Sequence, residues 1–193
     1  LRAKQYDEAL THYLWLWPAT READSYGGVR LSFMLSDMAK LAAKHEPAKK
    51  AFADILASLQ SKVDAADVPT FIDWQEWTGF CNYFDAKERV LAWYEKRRDA
   101  EGRLFAGNTE HQAQFIVGEI FDALMEKDRL ADAVRLYEDA RAHAEKLVAN
   151  YRMQTEGLPD DEELRKMVQE HGRSTLTTGL SKLFAALHAT ERD

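Results

Sequence analysis

Between residues 125 and 151 the apolar side chains keep a single interval. Leu130, Ala133, Val134, Tyr137, Ala140, Ala144, Leu147, Val148 and Tyr151 recur at steps of three and four, the spacing of one face of an α-helix, and no period-two strand accommodates it. Just upstream, Phe115, Ile116, Ile120, Phe121 and Leu124 form a second helical stripe, and residues 126–129 make a short polar connection. Helices joined by so few residues run antiparallel, so a helical hairpin is expected here.

The second helix of that hairpin carries a small residue, Ala133, one turn before an aromatic one, Tyr137. Ala9 and Tyr13 repeat the pair, and Val90 and Tyr94 occupy the same spacing. The last pair follows a helix in which Trp74, Trp77, Thr78 and Cys81 stand at the intervals of the Trp, Leu, Gly and Tyr of a tetratricopeptide first helix. These residues resemble a tetratricopeptide repeat, in which the small residue sits at a close helix crossing and the aromatic fills the gap between repeats. The paired positions lie 81 and 43 residues apart, from 9 to 90 and from 90 to 133, against about 34 in a regular array. Phe121 also stands where the family usually has a small residue.

The fold class expected is therefore all-α, with antiparallel helical hairpins stacked as a short, divergent tetratricopeptide-like solenoid. Residues 1–193 are expected to form one domain, closed by a terminal capping helix over about 175–189. If residues 2–17 are a second repeat helix, the domain lacks its amino-terminal partner.

Bulk properties narrow the function. Of the 193 residues, 46% are hydrophobic and 31% charged, with nine glycines and four prolines, a composition for packed helices with short connections. A net charge of −7 disfavours nucleic acid as a partner, because phosphate binding draws on clustered Lys and Arg. The apolar runs are too short to span a bilayer and the start lacks a signal-peptide pattern, which excludes the membrane as a partner in this reading. The single cysteine, Cys81, fits a reducing, cytoplasmic location.

Along the chain, a helix over 3–17 is expected to stop at Pro18. Residues 26–44, apolar around most of their girth, read as a central strut. Pro47 opens a surface helix with Ala48, Phe52, Leu56, Leu59 and Val63 on one stripe. Thr109 with Gln112 reads as a capping box. Gly157-Leu158-Pro159 breaks the long helix, the acids at 160–163 start another, and Gly172 is expected to end it.

Candidate chemistry is sparse. Cys81 reads as a core thiol, since no histidine lies near it in sequence. Glu8 and His12 are four residues apart, but nothing completes a metal set, so surface pairing is the reading. No glycine-rich phosphate loop or nucleophile elbow occurs. No catalytic, cofactor or metal residue is assigned, no cofactor is expected, and the enzyme reading stays second.

The resemblance implies a protein-protein interaction module. Its first-helix face would be formed by Trp74, Gln75, Asn82, Tyr83, Asp122 and Met125. The Lys, Asn and Arg of a carboxylate clamp are absent from the outward positions Ile72, Gln75, Glu76 and Gly79, and from Phe115, Gly118, Glu119 and Asp122. An aromatic, acidic concave face suits an apolar or basic peptide or partner helix. The alternative is a small-molecule- or lipid-binding helical protein, or an enzyme with its site between helices. A third reading is a subunit whose exposed aromatics close a homodimer.

Overall fold

The computed structural model describes residues 3–21, 27–104, 111–137, 139–156 and 161–190. The proposed cap at Thr109 and the break at 157–159 lie outside them. All regular structure among the described residues is helical, in the order α1 (Ala3–Ala19), α2 (Gly27–Val29), a π-helical turn (Arg30–Met34), α3 (Leu35–Ala42), α4 (Glu46–Ala65), α5 (Phe71–Tyr83), α6 (Glu88–Arg97), α7 (His111–Glu126), α8 (Leu130–Arg135), α9 (Ala140–Glu156) and α10 (Glu162–Thr190). No described helix is long and apolar enough to cross a membrane. The chain divides into two compact units, one of residues 1–96 with 110–116 and one of residues 97–109 with 117–193.

In the first unit the stripe predicted for α4 is the buried one, with Ala48, Phe52, Leu56, Leu59 and Val63 all enclosed. Its neighbour α5 begins at Thr70, whose hydroxyl accepts the amide N–H of Asp73 at 3.2 Å, a side-chain cap that satisfies one open donor of the first turn. Trp74, Trp77, Thr78, Phe80 and Cys81 of α5 are buried. The ring of Trp74 lies 5.1 Å from that of Trp77 and 4.8 Å from that of Trp93 on α6, edge to face. Such pairs add about 0.5–1.5 kcal/mol each beyond their area. The Trp77 indole N–H donates to Gln60 Oε1 at 3.1 Å. At Gly79 a Cβ would meet Leu35 Cδ1 at 2.9 Å, so the absent side chain lets α3 approach closely.

The strut expected over 26–44 is described from Gly27, and its α3 part buries Leu35, Met38, Leu41 and Ala42 and packs on α1, α4 and α5. Its π turn inserts extra backbone into the helical ladder, placing Arg30 and Met34 inward and leaving Phe33 exposed. Of the two neighbouring tryptophans of α1, Trp17 is buried and Trp15 exposed, as an interval of two on a helix requires.

In the second unit two expectations change. The stripe over 125–151 is two helices, because α8 ends at Arg135 and α9 starts afresh. The Asp139 carboxylate accepts the amide N–H groups of Arg141 and Ala142 at 2.8 and 3.0 Å, capping a new first turn. Ala133 is buried, and Tyr137 packs its ring 5.4 Å from Phe121 and 3.8 Å from His143, stacked on the latter. Burial and, secondarily, Lys146 hold the His143 imidazole below its ordinary pKa.

Gly172 does not end a helix; it lies inside the 29-residue α10. A Cβ there would meet Tyr151 Cδ2 at 3.2 Å, and one at Gly179 would meet Leu147 Cδ1 at 3.2 Å. These contacts run in opposite directions along α9 and α10, so both glycines mark close helix contact.

Alanine substitution separates the glycines. Gly118 on α7 has nothing within 4 Å of a built Cβ, so Gly118→Ala is expected to raise stability by about 0.5–1 kcal/mol in denaturant unfolding. Gly172→Ala gains the same propensity but requires the Tyr151 ring to give by a few tenths of an ångström, so it is expected to stabilise less than Gly118→Ala. The depressed His143 pKa sets a pH dependence. Its neutral form contributes stability that is fully present above the unfolded pKa of about 6.5 and is lost as pH falls towards the lower folded value. The thermal midpoint of wild type relative to that of His143→Phe should therefore fall as pH drops from about 7.5 to about 5.5.

Candidate functional site

The chemistry of the first unit concentrates on one side of α5. Asp73 and Glu76 lie three residues apart there, and Glu76 is only 2% exposed. Two guanidiniums reach them. Arg21, just past α1, donates from Nη2 to Asp73 Oδ1 at 2.5 Å and from Nη1 to Glu76 Oε2 at 3.0 Å. Arg30, held inward by the π turn, brings Nη2 within 2.8 Å of Glu76 Oε1, close enough for charge pairing though not aligned as a hydrogen bond. Arg30 Nη1 also donates to the Trp17 carbonyl and to Thr20 Oγ1, the latter at 3.1 Å. Its guanidinium carbon stacks 3.4 Å over the Trp17 ring, the favourable geometry for a cation on an indole face.

Electrostatics follow from burial. Desolvation pushes the Glu76 carboxyl up, with Arg30 and Arg21 offsetting part of the shift. It pushes Arg30 down against the same pairing. Desolvation would raise Asp73 too, but hydrogen bonds from Arg21 and Thr70 outweigh it and hold that carboxyl below the usual range. Two guanidiniums face two carboxylates, so the cluster is internally compensated. It clasps α1 and the π turn onto α5, and it leaves no spare charge for a ligand or for acid–base work.

The predicted contact residues distribute unevenly. Trp74 is 0% exposed, so a partner cannot reach it; its ring is committed to the Trp77 and Trp93 cluster, and the expectation of a groove lined by Trp74 is corrected. Glu76, read from sequence as an outward position, is also buried. Gln75 is half-buried, and Asn82 and Tyr83 are exposed in the last turn of α5; between them and Ile72 the helix is covered, by Arg30 at Glu76 and by Leu35 at Gly79. Ile72, 51% exposed, and Tyr83, 40% exposed, are large apolar groups at the two ends of the helix. Phe71, at the helix start, turns edge-on to Phe115 at 4.9 Å. On α7, Asp122 is exposed and pairs with Lys182 of α10 at 2.7 Å, and Met125 is half-buried. These last two belong to the second unit.

Cys81 is a buried free thiol, and desolvation pushes its pKa up to about 12, the opposite of an activated nucleophile. Sequence reasoning missed Arg30. Its one local signal is a lone cation inside the apolar run Val29 to Leu35. No protein-family model, curated protein or solved structure matches the chain.

The clasp predicts a non-additive mutational series. Glu76→Gln leaves the buried Arg30 guanidinium without a counter-charge, while Arg21 keeps Asp73, and should lower unfolding stability by about 3–5 kcal/mol. The double variant Arg30→Met/Glu76→Leu leaves Arg21 its Asp73 partner and fills the volume with apolar atoms. It should be more stable than Glu76→Gln, as read by chemical denaturation of both.

Proposed function

We propose that the chain is a helical interaction module of tetratricopeptide-like character, which docks a partner peptide or helix on the exposed residues at the two ends of α5. The observation that carries this reading is the contrast along α5, where Trp74, Trp77 and Phe80 are enclosed while Ile72 and Tyr83 remain open to solvent. A helix locked in place by a core and presenting two large apolar groups is a rigid platform for apolar anchoring. Gln75 and Asn82 supply hydrogen-bonding groups between the anchors. The net charge of −7 favours an apolar partner segment with basic flanks, since opposite charge speeds encounter and selects against acidic competitors. The opposed contacts of α9 and α10, and the burial of Ala133, support the hairpin-repeat reading. A reducing cytoplasmic setting suits the single buried thiol.

Affinity capture followed by quantitative mass spectrometry tests the surface. Truncating two anchors is expected to weaken retention of the specific partners by at least about tenfold in Ile72→Ala/Tyr83→Ala, because each anchor contributes on the order of 1 kcal/mol or more. Helical content by circular dichroism should stay at the wild-type level, as both side chains are exposed. An unchanged partner set with the fold intact would exclude these residues of α5.

A further inference from the structure

The long helix α10 carries a seam of exposed side chains along its length. Starting at Leu164 and Met167, alternate steps of four and three residues lead through His171, Ser174, Thr178 and Ser181 to Ala185 and His188. This 3.5-residue interval is the repeat of helices that pair along their length. Every one of these positions is exposed, and none carries Asp, Glu, Lys or Arg. The charged residues at exposed positions of the same helix, Glu162, Glu163, Lys166, Glu170 and Arg173, all fall off the seam.

We propose that this seam is a self-association interface, occupied by α10 of a second copy of the chain in antiparallel orientation. Three observations select that occupant. The first is size. Reversing the helix about Leu176 sets Met167 against Ala185 of the second copy and His171 against its Ser181, so along the inner seam bulky groups meet small ones, and the outermost pair is Leu164 against His188. Ser174 and Thr178 then meet at the centre, where small side chains permit close approach.

The second is the placement of exposed apolar groups. Met167 and Phe184, 59% and 63% exposed, are the most exposed large apolar side chains of α10. The same register brings Phe184 of one copy to the level of Met167 of the other, so each end of the pairing has its own apolar contact.

The third is charge. From 161 to 171 the chain has four acidic and two basic residues, and from 172 to 190 it has two basic ones, Arg173 and the Lys182 that also pairs with Asp122, and no acidic ones. Antiparallel pairing sets the acidic part of each helix against the basic part of the other, and a parallel pair would place Glu163 and Glu170 beside their own copies. A two-fold axis through the helix centre satisfies all three conditions at once, the self-complementary arrangement of most dimers.

Sedimentation equilibrium from low micromolar to several hundred micromolar chain tests for the dimer, with Thr178→Glu placing two charges at its centre. Reversible dimerisation is expected, weakened at least about tenfold by Thr178→Glu with helical content unchanged, since one buried unpaired charge exceeds the 1.4 kcal/mol of a tenfold change. The register is read by disulfide trapping. A mixture of Ser174→Cys and Thr178→Cys chains should form a covalent dimer. Ser174→Cys alone should not, because four residues of offset separate its copies by about 6 Å along the axis, leaving the thiols outside disulfide geometry. A monomer at every concentration, a dimer indifferent to Thr178→Glu, or trapping by Ser174→Cys alone would each overturn the proposal.

Discussion

A carboxylate removed from water must be met by positive charge, and the first unit is arranged so that Glu76 is. The core requires Trp74, Trp77 and Phe80 to point inward from α5, and Glu76 falls on the same enclosed arc. Ionised and unpaired, it would destabilise the fold by several kcal/mol. Arg21 and Arg30 answer it from two sides of α1 and the π turn. The widened turn over Arg30–Met34 brings the second guanidinium inward, and its counterpart is a phenylalanine, Phe33, left in solvent. The departure from regular helix geometry and the buried ion pair are two aspects of one solution.

The same constraint explains which parts of the fold were legible in the sequence. The buried face of α4 followed from periodicity because each of its residues needs only a neighbour three or four positions away. The clasp did not, because Arg30 and Glu76 are 46 residues apart and no local pattern links them. Gly172 illustrates another limit. Glycine ends a helix when it takes a left-handed conformation, and it also permits close contact when a ring lies against it. Only the position of Tyr151 distinguishes the two. At Asp139 the apolar stripe continues unbroken while the carboxylate offers the backbone a new first turn, so periodicity alone joined two helices that capping separates. The site suffered likewise: large rings announce packing, but whether Trp74 is enclosed or open depends on Trp93, which arrives from another helix.

The two units are held by different physics. In the first, four of the five tryptophans are buried, and much of the stabilisation comes from large rings in mutual contact. In the second, α9 has no buried residue among 17 and α10 has three among 29, so their association relies on half-buried side chains and on glycines that bring the backbones together. A helix pair with so little enclosed surface opens locally at lower free energy than a ring-filled core. The exposed faces on which partner contacts are proposed therefore rest on supports of unequal stiffness.

The enclosure of Cys81 has a chemical consequence. With its pKa near 12, only about one molecule in 10⁵ carries the thiolate at neutral pH. The native sulfur is thus almost silent towards alkylating and oxidising reagents while the fold is intact. A maleimide dye or spin label would select any cysteine introduced on the surface, leaving the wild-type residue as a reporter of unfolding.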